Sequence, residues 1–270
     1  MYGLRKGRDG VPLRMKLVSL GSGSTGNCLL VRAGDTKILV DAGLSLADTQ
    51  RRLAAAGESL AGLSAICVTH EHTDHVAGLE VLARHLYRSG AVVPILCSPG
   101  TAAKLPRSFP NVKAVEPDEE FNVGAIEVEP FPVPHDAVQP FGWLFSAAGI
   151  KAAVAIDLGS IPPMVAFRLL RSHLLFVESN HDADMLRVGP YHWRLKERVA
   201  APTGHLSNET VAGLLARLDG ETQHVILAHL SVTNNVPELA RMAAEQALQG
   251  AGLPALVHLA GASEPLSITF

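Results

Sequence analysis

The sequence predicts an α/β protein in which β-sheets are sandwiched between helices. Short apolar runs of strand length alternate with stretches of helical periodicity along all 270 residues. The early strands are linked by hairpin signals, and helices are spread through the rest of the chain. No repeat, low-complexity tract or change of composition marks a linker, so residues 15–270 are expected to form one domain. Residues 1–14 (MYGLRKGRDGVPLR) are polar, glycine-bearing and aperiodic, and are expected to be a disordered extension or a misassigned start.

Residues 15–20, 27–32 and 37–40 read as strands, with Gly34-Asp35 as the turn between the last two. A helix is expected over 47–56, a buried strand over 65–69 and an amphipathic helix over 75–87. Strand patterns recur at 93–97, 125–130, 142–147, 152–156, 174–178, 224–228, 255–259 and 266–270. Helical patterns fall at 165–170, 191–199, 207–218 and 237–249.

With 47% apolar and 18% charged residues, the chain buries one large core or two modest ones. The net charge of −3 advertises no nucleic-acid binding, so attraction to a polyphosphate must come from local patches or metals. Cys28, Cys67 and Cys97 are scattered, forming neither a disulfide framework nor a zinc cluster, and read as small buried hydrophobes in a reducing compartment. No apolar run approaches the roughly 20 residues that span a bilayer, and the N-terminus lacks a signal-peptide core. A soluble, cytoplasmic protein with no membrane partner is expected.

Gly21-Ser22-Gly23-Ser24-Thr25-Gly26 spells the dinucleotide-binding pattern G-x-G-x-x-G, with Asp41 where an acidic ribose ligand belongs. That reading requires a strand leading into a helix whose N-terminus holds the pyrophosphate. Here Gly26 is followed by Asn-Cys-Leu-Leu-Val-Arg and a hairpin signal, so no nucleotide cofactor is expected. The glycines serve either a tight turn or the approach of backbone amides to a substrate phosphate, with Ser22, Ser24, Thr25 and Asn27 as further donors.

The strongest chemical signal is Thr69-His-Glu-His-Thr-Asp-His75, directly after a buried strand and before an amphipathic helix. A loop at a strand end splays alternate side chains, so His70 and His72 are free to face one metal while Asp74 and His75 face a second. Imidazole and carboxylate are the donors Zn²⁺ takes in catalytic sites, where one position stays open for water.

This H-x-H-x-D-H motif resembles the signature of the metallo-β-lactamase-fold hydrolases. Asp41 in ILVDAG resembles the family's structural aspartate, His135 in VPHDA its third-motif histidine, Asp157 in AVAIDLG its metal-bridging aspartate, and His229 in VILAHLS its fifth-motif histidine. The resemblance implies an αββα sandwich, two mixed β-sheets packed face to face with helices on both outer faces. It implies two divalent metals, one on His70, His72 and His135, the other on Asp74, His75 and His229, with Asp157 shared. Asp41 would support the site. Zn²⁺ is the leading expectation, and Mn²⁺ accepts the same ligands.

Within that superfamily, GSGSTGNC at 21–28, ESNHD at 178–182, Tyr191, GHLSN at 204–208, and AHLS at 228–231 with Asn234-Asn235 resemble the YycJ/WalJ group. That resemblance implies 5′→3′ exonuclease action, on DNA rather than RNA. The GHLS and AHLS pair also resembles tRNA-processing RNase Z, where the histidine matching His205 assists the chemistry without holding metal. The chain lacks a long insertion between Asp157 and His205 like that enzyme's tRNA-clamping arm, which argues against tRNA processing, and it carries His192 where the group has proline. His181, Asn208 and Asn234 join Ser22, Ser24 and Asn27 as possible substrate contacts, although His181-Asp182 reads equally as a helix start. Arg187, Arg194, Lys196 and Arg198 form the densest basic stretch, by default a solvated helix face and otherwise a phosphate contact.

The expected chemistry is attack of a metal-bridging hydroxide on phosphorus, with Asp74 and His205 handling protons. The alternatives are a hydrolase of the same fold acting on a thioester, lactone or cyclic phosphodiester, and a metal-binding protein whose site is idle.

Overall fold

A computed structural model describes residues 14–106, 109 and 111–270; the extension expected at 1–14 lies outside the described residues except for Arg14. Among the described residues the first elements are β1 (Met15–Gly21), β2 (Cys28–Ala33), β3 (Thr36–Val40) and α1 (Leu46–Ala55). There follow β4 (Leu63–Cys67), α2 (Thr73–Val76), α3 (Leu79–Arg88), β5 (Ile95–Cys97), α4 (Pro99–Lys104) and β6 (Val112–Ala114). Next come β7 (Phe121–Val123), β8 (Ile126–Pro132), β9 (Phe141–Ala147), β10 (Ile150–Ala155), α5 (Pro163–Leu169) and β11 (Leu174–Glu178). The chain closes with α6 (Ala183–Val188), α7 (Trp193–Ala200), α8 (Asn208–Leu215), β12 (His224–Ala228), α9 (Pro237–Gly250), β13 (Leu256–Leu259) and β14 (Leu266–Thr269).

The strands form two seven-stranded sheets, ordered β14-β1-β2-β3-β4-β5-β6 and β13-β12-β11-β10-β9-β8-β7. In the first, β14, β1, β2 and β3 pair antiparallel, and β3 to β6 run parallel. In the second, β10 to β13 run parallel and β7 pairs antiparallel with β8. The chain divides into two compact units. The first comprises the described residues up to Pro130, Ala137–Lys151 and Gly261–Phe270; the second comprises Phe131–Asp136 and Ala152–Ala260.

In the first unit, α1 and α3 bury Leu53, Leu79, Leu82 and Leu86 in one cluster with Leu30, Leu39 and Ile66 of the sheet. Each such side chain contributes roughly 1.5–3 kcal/mol by leaving water. The single helix expected over 75–87 is two helices, α2 and α3, broken at Gly78. An added Cβ there would overlap the Leu44 carbonyl oxygen, and the Gly78 N–H donates to the Ala42 carbonyl at 2.8 Å. The break thus ties the H-x-H-x-D-H segment to the residues following β3.

Parallel pairing aligns strand ends. Val40 of β3 stands opposite Cys67 of β4, so Asp41 and Thr69-His70 leave the sheet at one edge. In the second unit Ala155 stands opposite Val177 and Glu178 opposite Ala228, which brings Asp157, Glu178 and His229 to one edge of β10, β11 and β12. The carboxyl ends of parallel strands are where α/β sheets bind their ligands.

A buried carboxylate clamps the opening strands. Glu58, with a side chain 1% exposed, pairs with Lys16 of β1 at 3.0 Å, Arg32 of β2 at 3.1 Å and Lys37 of β3 at 3.8 Å. Burial favours the neutral acid, but Lys16 and Arg32 outweigh it and hold the carboxyl below its ordinary value of 4.5. A folded-state pKa below the unfolded one stabilises the fold above the unfolded value and is lost as pH falls through the folded value. Glu58→Gln is therefore expected to cost about 2 kcal/mol at neutral pH. Chemical denaturation should show that difference intact above pH 4.5 and shrinking below it; a difference independent of pH would contradict the clamp.

Candidate metal centre

The first unit supplies one donor set. His70, His72, Asp74 and His75 follow β4 in a loop that closes into α2, with the His70 ring centroid 4.6 Å from that of His72 and 4.1 Å from that of His75. The Asp74 Oδ2 lies 3.4 Å from His75 Nε2. Asp41 anchors this loop from within the protein. Its carboxylate, 0% exposed, accepts the Thr69 N–H at 2.8 Å and the Thr69 hydroxyl at 3.0 Å, and lies 2.7 Å from His75 Nδ1. Burial pushes the Asp41 carboxyl up, while His75 and Thr69 draw it back. An Nδ1–H donated to Asp41 leaves Nε2 of His75 as the basic nitrogen, the arrangement that orients a metal-binding imidazole.

The glycine loop completes the same lattice. The Asn27 N–H donates to the Asp74 carbonyl at 2.8 Å, and the Gly43 N–H donates to the Asn27 carbonyl at 2.9 Å. The Asn27 amide nitrogen lies 3.2 Å from Asp74 Oδ2 and 3.1 Å from His75 Nε2. A Cβ on Gly43 would overlap the Asp74 carbonyl, so only glycine allows this approach. The loop joins two antiparallel strands, and Asn27, directly after it, seats the histidine motif.

The second unit supplies the other donor set around Glu178, which ends β11 and is fully buried. Its Oε1 lies 2.6 Å from His205 Nδ1 and 2.9 Å from His229 Nδ1. Its Oε2 accepts the N–H groups of Leu158 at 3.1 Å and Leu206 at 3.3 Å. Asp157 Oδ1 lies 2.9 Å from the same nitrogen of His229 and 3.4 Å from that of His205. Asp157, Glu178, His205 and His229 each offer an atom within 4.8 Å of the others. Burial opposes charge on His205, but Glu178 and Asp157 outweigh it and push the imidazole up to about 10. Burial also favours the neutral form of Glu178, yet His205 and His229 hold its carboxyl below the usual range. His135 follows β8, with Nδ1 3.1 Å from the Gly204 carbonyl and Nε2 3.3 Å from Asp136 Oδ1. Because a carbonyl only accepts, Nδ1 carries a proton toward Gly204. Desolvation pulls the His135 pKa down, favouring the neutral ring that binds metal.

Buried imidazole and carboxylate donors at strand ends are the chemistry that divalent cations take, so the residues present fit a metal centre. Of the six residues expected as possible substrate contacts, only Ser24 is exposed. Ser22, Asn27, His181, Asn208 and Asn234 are buried. Asn27 holds the histidine motif, while Asn208 bonds Ser179 and Asn235. His181 pairs in a bridge with Ser207, and Ser207 caps α8. The side-chain amides of Asn27 and Asn208 are thus engaged within the framework. Glu178 was legible only as part of a motif; the signal was a carboxylate closing the otherwise apolar run LLFVE.

Residues 36–230 match the Beta-lactamase superfamily domain. The chain is 38% identical over 242 residues to the exodeoxyribonuclease YycJ of Bacillus anthracis, an overlap covering 86% of this chain and 89% of that protein. It is 36% identical over 228 residues to the exodeoxyribonuclease WalJ of Streptococcus pneumoniae, covering 83% and 84%. The crystal structure of the metallo-β-lactamase fold protein YhfI from Bacillus subtilis superposes with a TM-score of 0.73 at 18% identity, over 94% of this chain and 100% of that one. The metallo-β-lactamase fold expected from the sequence is the fold of this chain.

The Asp41–His75 contact makes a direct prediction. Asp41→Asn is expected to lower affinity for divalent metal about 10- to 100-fold, read by competition with a chromophoric chelator. Unchanged affinity in a folded variant would contradict the anchoring role.

Proposed function

Because the chain belongs to the metallo-β-lactamase superfamily, and within it to the YycJ/WalJ family, we propose that it is a metal-dependent exodeoxyribonuclease acting 5′→3′. The observation that carries this reading is the pair of buried donor sets, with Glu178 and His205 added to the second. His70, His72, His135, Asp74, His75, Asp157 and His229 would hold two divalent cations, with Zn²⁺ favoured by the imidazole-rich set and Mn²⁺ the alternative. When bound, such cations supply a hydroxide nucleophile near neutral pH and stabilise charge on the phosphoryl oxygens.

The chain's own groups do the rest. Asp74, with a side chain 22% exposed, orients the attacking oxygen and accepts its proton. Glu178 fixes the His205 ring through Nδ1, so His205 delivers a hydrogen bond or proton from Nε2 toward the phosphate or the leaving oxygen. Hydrolysis of a thioester or lactone does not need that donor, and the Glu178–His205 pair therefore favours a phosphodiester.

No helix among the described residues is long and apolar enough to cross a membrane. The three cysteines are free and buried, which supports our placing the protein in a reducing cytoplasm.

Metal-loaded protein is expected to degrade 5′-labelled duplex DNA, and His72→Ala to abolish it; full activity of that variant would contradict the metal assignment. His205→Ala is expected to lower kcat about 100-fold or more while metal content stays at the wild-type level. Loss of metal together with activity would instead make His205 a ligand.

A further inference from the structure

The helices α6 and α7 expose an apolar and cationic face that the hydrolytic chemistry does not use. The chain has two tryptophans. Trp143 is fully buried, whereas Trp193, at the start of α7, is 67% exposed. Val188, which ends α6, is 76% exposed. Residues 183–200 carry four cations, Arg187, Arg194, Lys196 and Arg198, against Asp184 and Glu197, inside a chain whose net charge is −3. The arrangement is built rather than loose. Lys196 Nζ donates to the Arg187 carbonyl at 2.7 Å, tying α7 to the end of α6.

Both helices are anchored at the second donor set. Asp182 caps α6 by accepting the Met185 N–H at 2.8 Å, and His181, just before it, bridges to Ser207. At the far end of α7, Arg198 pairs with Asp136 at 2.5 Å, beside His135, and the Val199 carbonyl accepts the His205 N–H at 2.9 Å. From Trp193 to Val199 is six residues of helix, about 9 Å at 1.5 Å per residue. Trp193 thus lies about 9 Å along α7 from the residue whose carbonyl holds the His205 N–H.

An exposed indole among cations suits a nucleic-acid strand, since every base has a π-face and every linkage a negative charge. We propose that Trp193 is a stacking platform for an unpaired base of single-stranded DNA, with Arg194 and Lys196 facing its phosphates. The proposal rests on the nuclease reading for the choice of DNA. A single strand fits better than a duplex, whose bases hide their faces in the stack.

The test is fluorescence of the metal-loaded full chain titrated with a phosphorothioate-linked oligothymidylate, which resists cleavage. Because Trp143 is buried, quenching reports on Trp193; it is expected for the wild type and expected to vanish in Trp193→Phe. By anisotropy of a labelled strand, Trp193→Ala is expected to bind about tenfold more weakly, Trp193→Phe to retain most of the affinity, and Arg194→Glu to weaken binding further at low salt. Quenching that survives Trp193→Phe, or Trp193→Ala binding within twofold of wild type, would overturn the proposal and leave the face to another partner, such as a protein. Cleavage of 5′-labelled DNA by the wild type, run in parallel, separates the two readings. Quenching without cleavage would uphold the platform and reject the nuclease. Cleavage with unaltered binding by Trp193→Ala would do the reverse.

Discussion

A carboxylate sealed from water must find its hydrogen-bond donors inside the protein, and at Asp41 and Glu178 those donors include imidazoles of the proposed metal centre. Asp41 is matched by Thr69 and His75, Glu178 by His205, His229 and two backbone N–H groups. Leaving either buried acid unmatched costs several kcal/mol, so the same requirement that keeps the fold intact sets the tautomer and direction of each ring. The histidines are held before any substrate arrives, which is the condition for electrostatic catalysis without reorganisation.

Backbone conformation reinforces this. Asp41, Asp157 and His229 lie just beyond β3, β10 and β12, and each has a positive φ, at 61°, 56° and 54°. Non-glycine residues seldom take that region, and doing so costs about 1–3 kcal/mol apiece. The chain reverses abruptly at the end of each strand, which turns the side chain back over the sheet edge. The strain is held by local bonds: the Asp41 N–H donates to the Cys67 carbonyl, and Asn180 Nδ2 donates to the His229 carbonyl. Asn180 is thereby a structural counterpart, in the second unit, of Asn27 in the first.

How much of this was legible in the sequence depends on where the signal resides. The strands β1 to β4 and β10 to β12 are apolar runs bounded by turn residues, and they stand within a few residues of their expected positions. The histidine motif was legible because its spacing is local. The strands β6 and β7 were not, because three-residue strands at sheet edges carry little burial and hence no pattern. The break at Gly78 was hidden because it answers to a carbonyl 34 residues earlier, at Leu44. Asn27 and Asn208 looked like surface donors because asparagine usually is one; only the packed structure reveals that their amides are spent on Asp74, Ser179 and Asn235. Glu178 shows the same limit, since its partners lie 27 and 51 residues away.

The account turns on Glu178 acting through His205 and His229 rather than as one more ligand. Its most direct test is steady-state cleavage of 5′-labelled DNA by Glu178→Gln, with metal content measured on the same preparation. The amide keeps the shape but loses the charge that His205 and His229 face. At saturating metal, Glu178→Gln is expected to bind metal to the wild-type level, with an affinity weakened no more than in Asp41→Asn, and to show a kcat reduced about 100-fold or more. Wild-type turnover in that variant would contradict it.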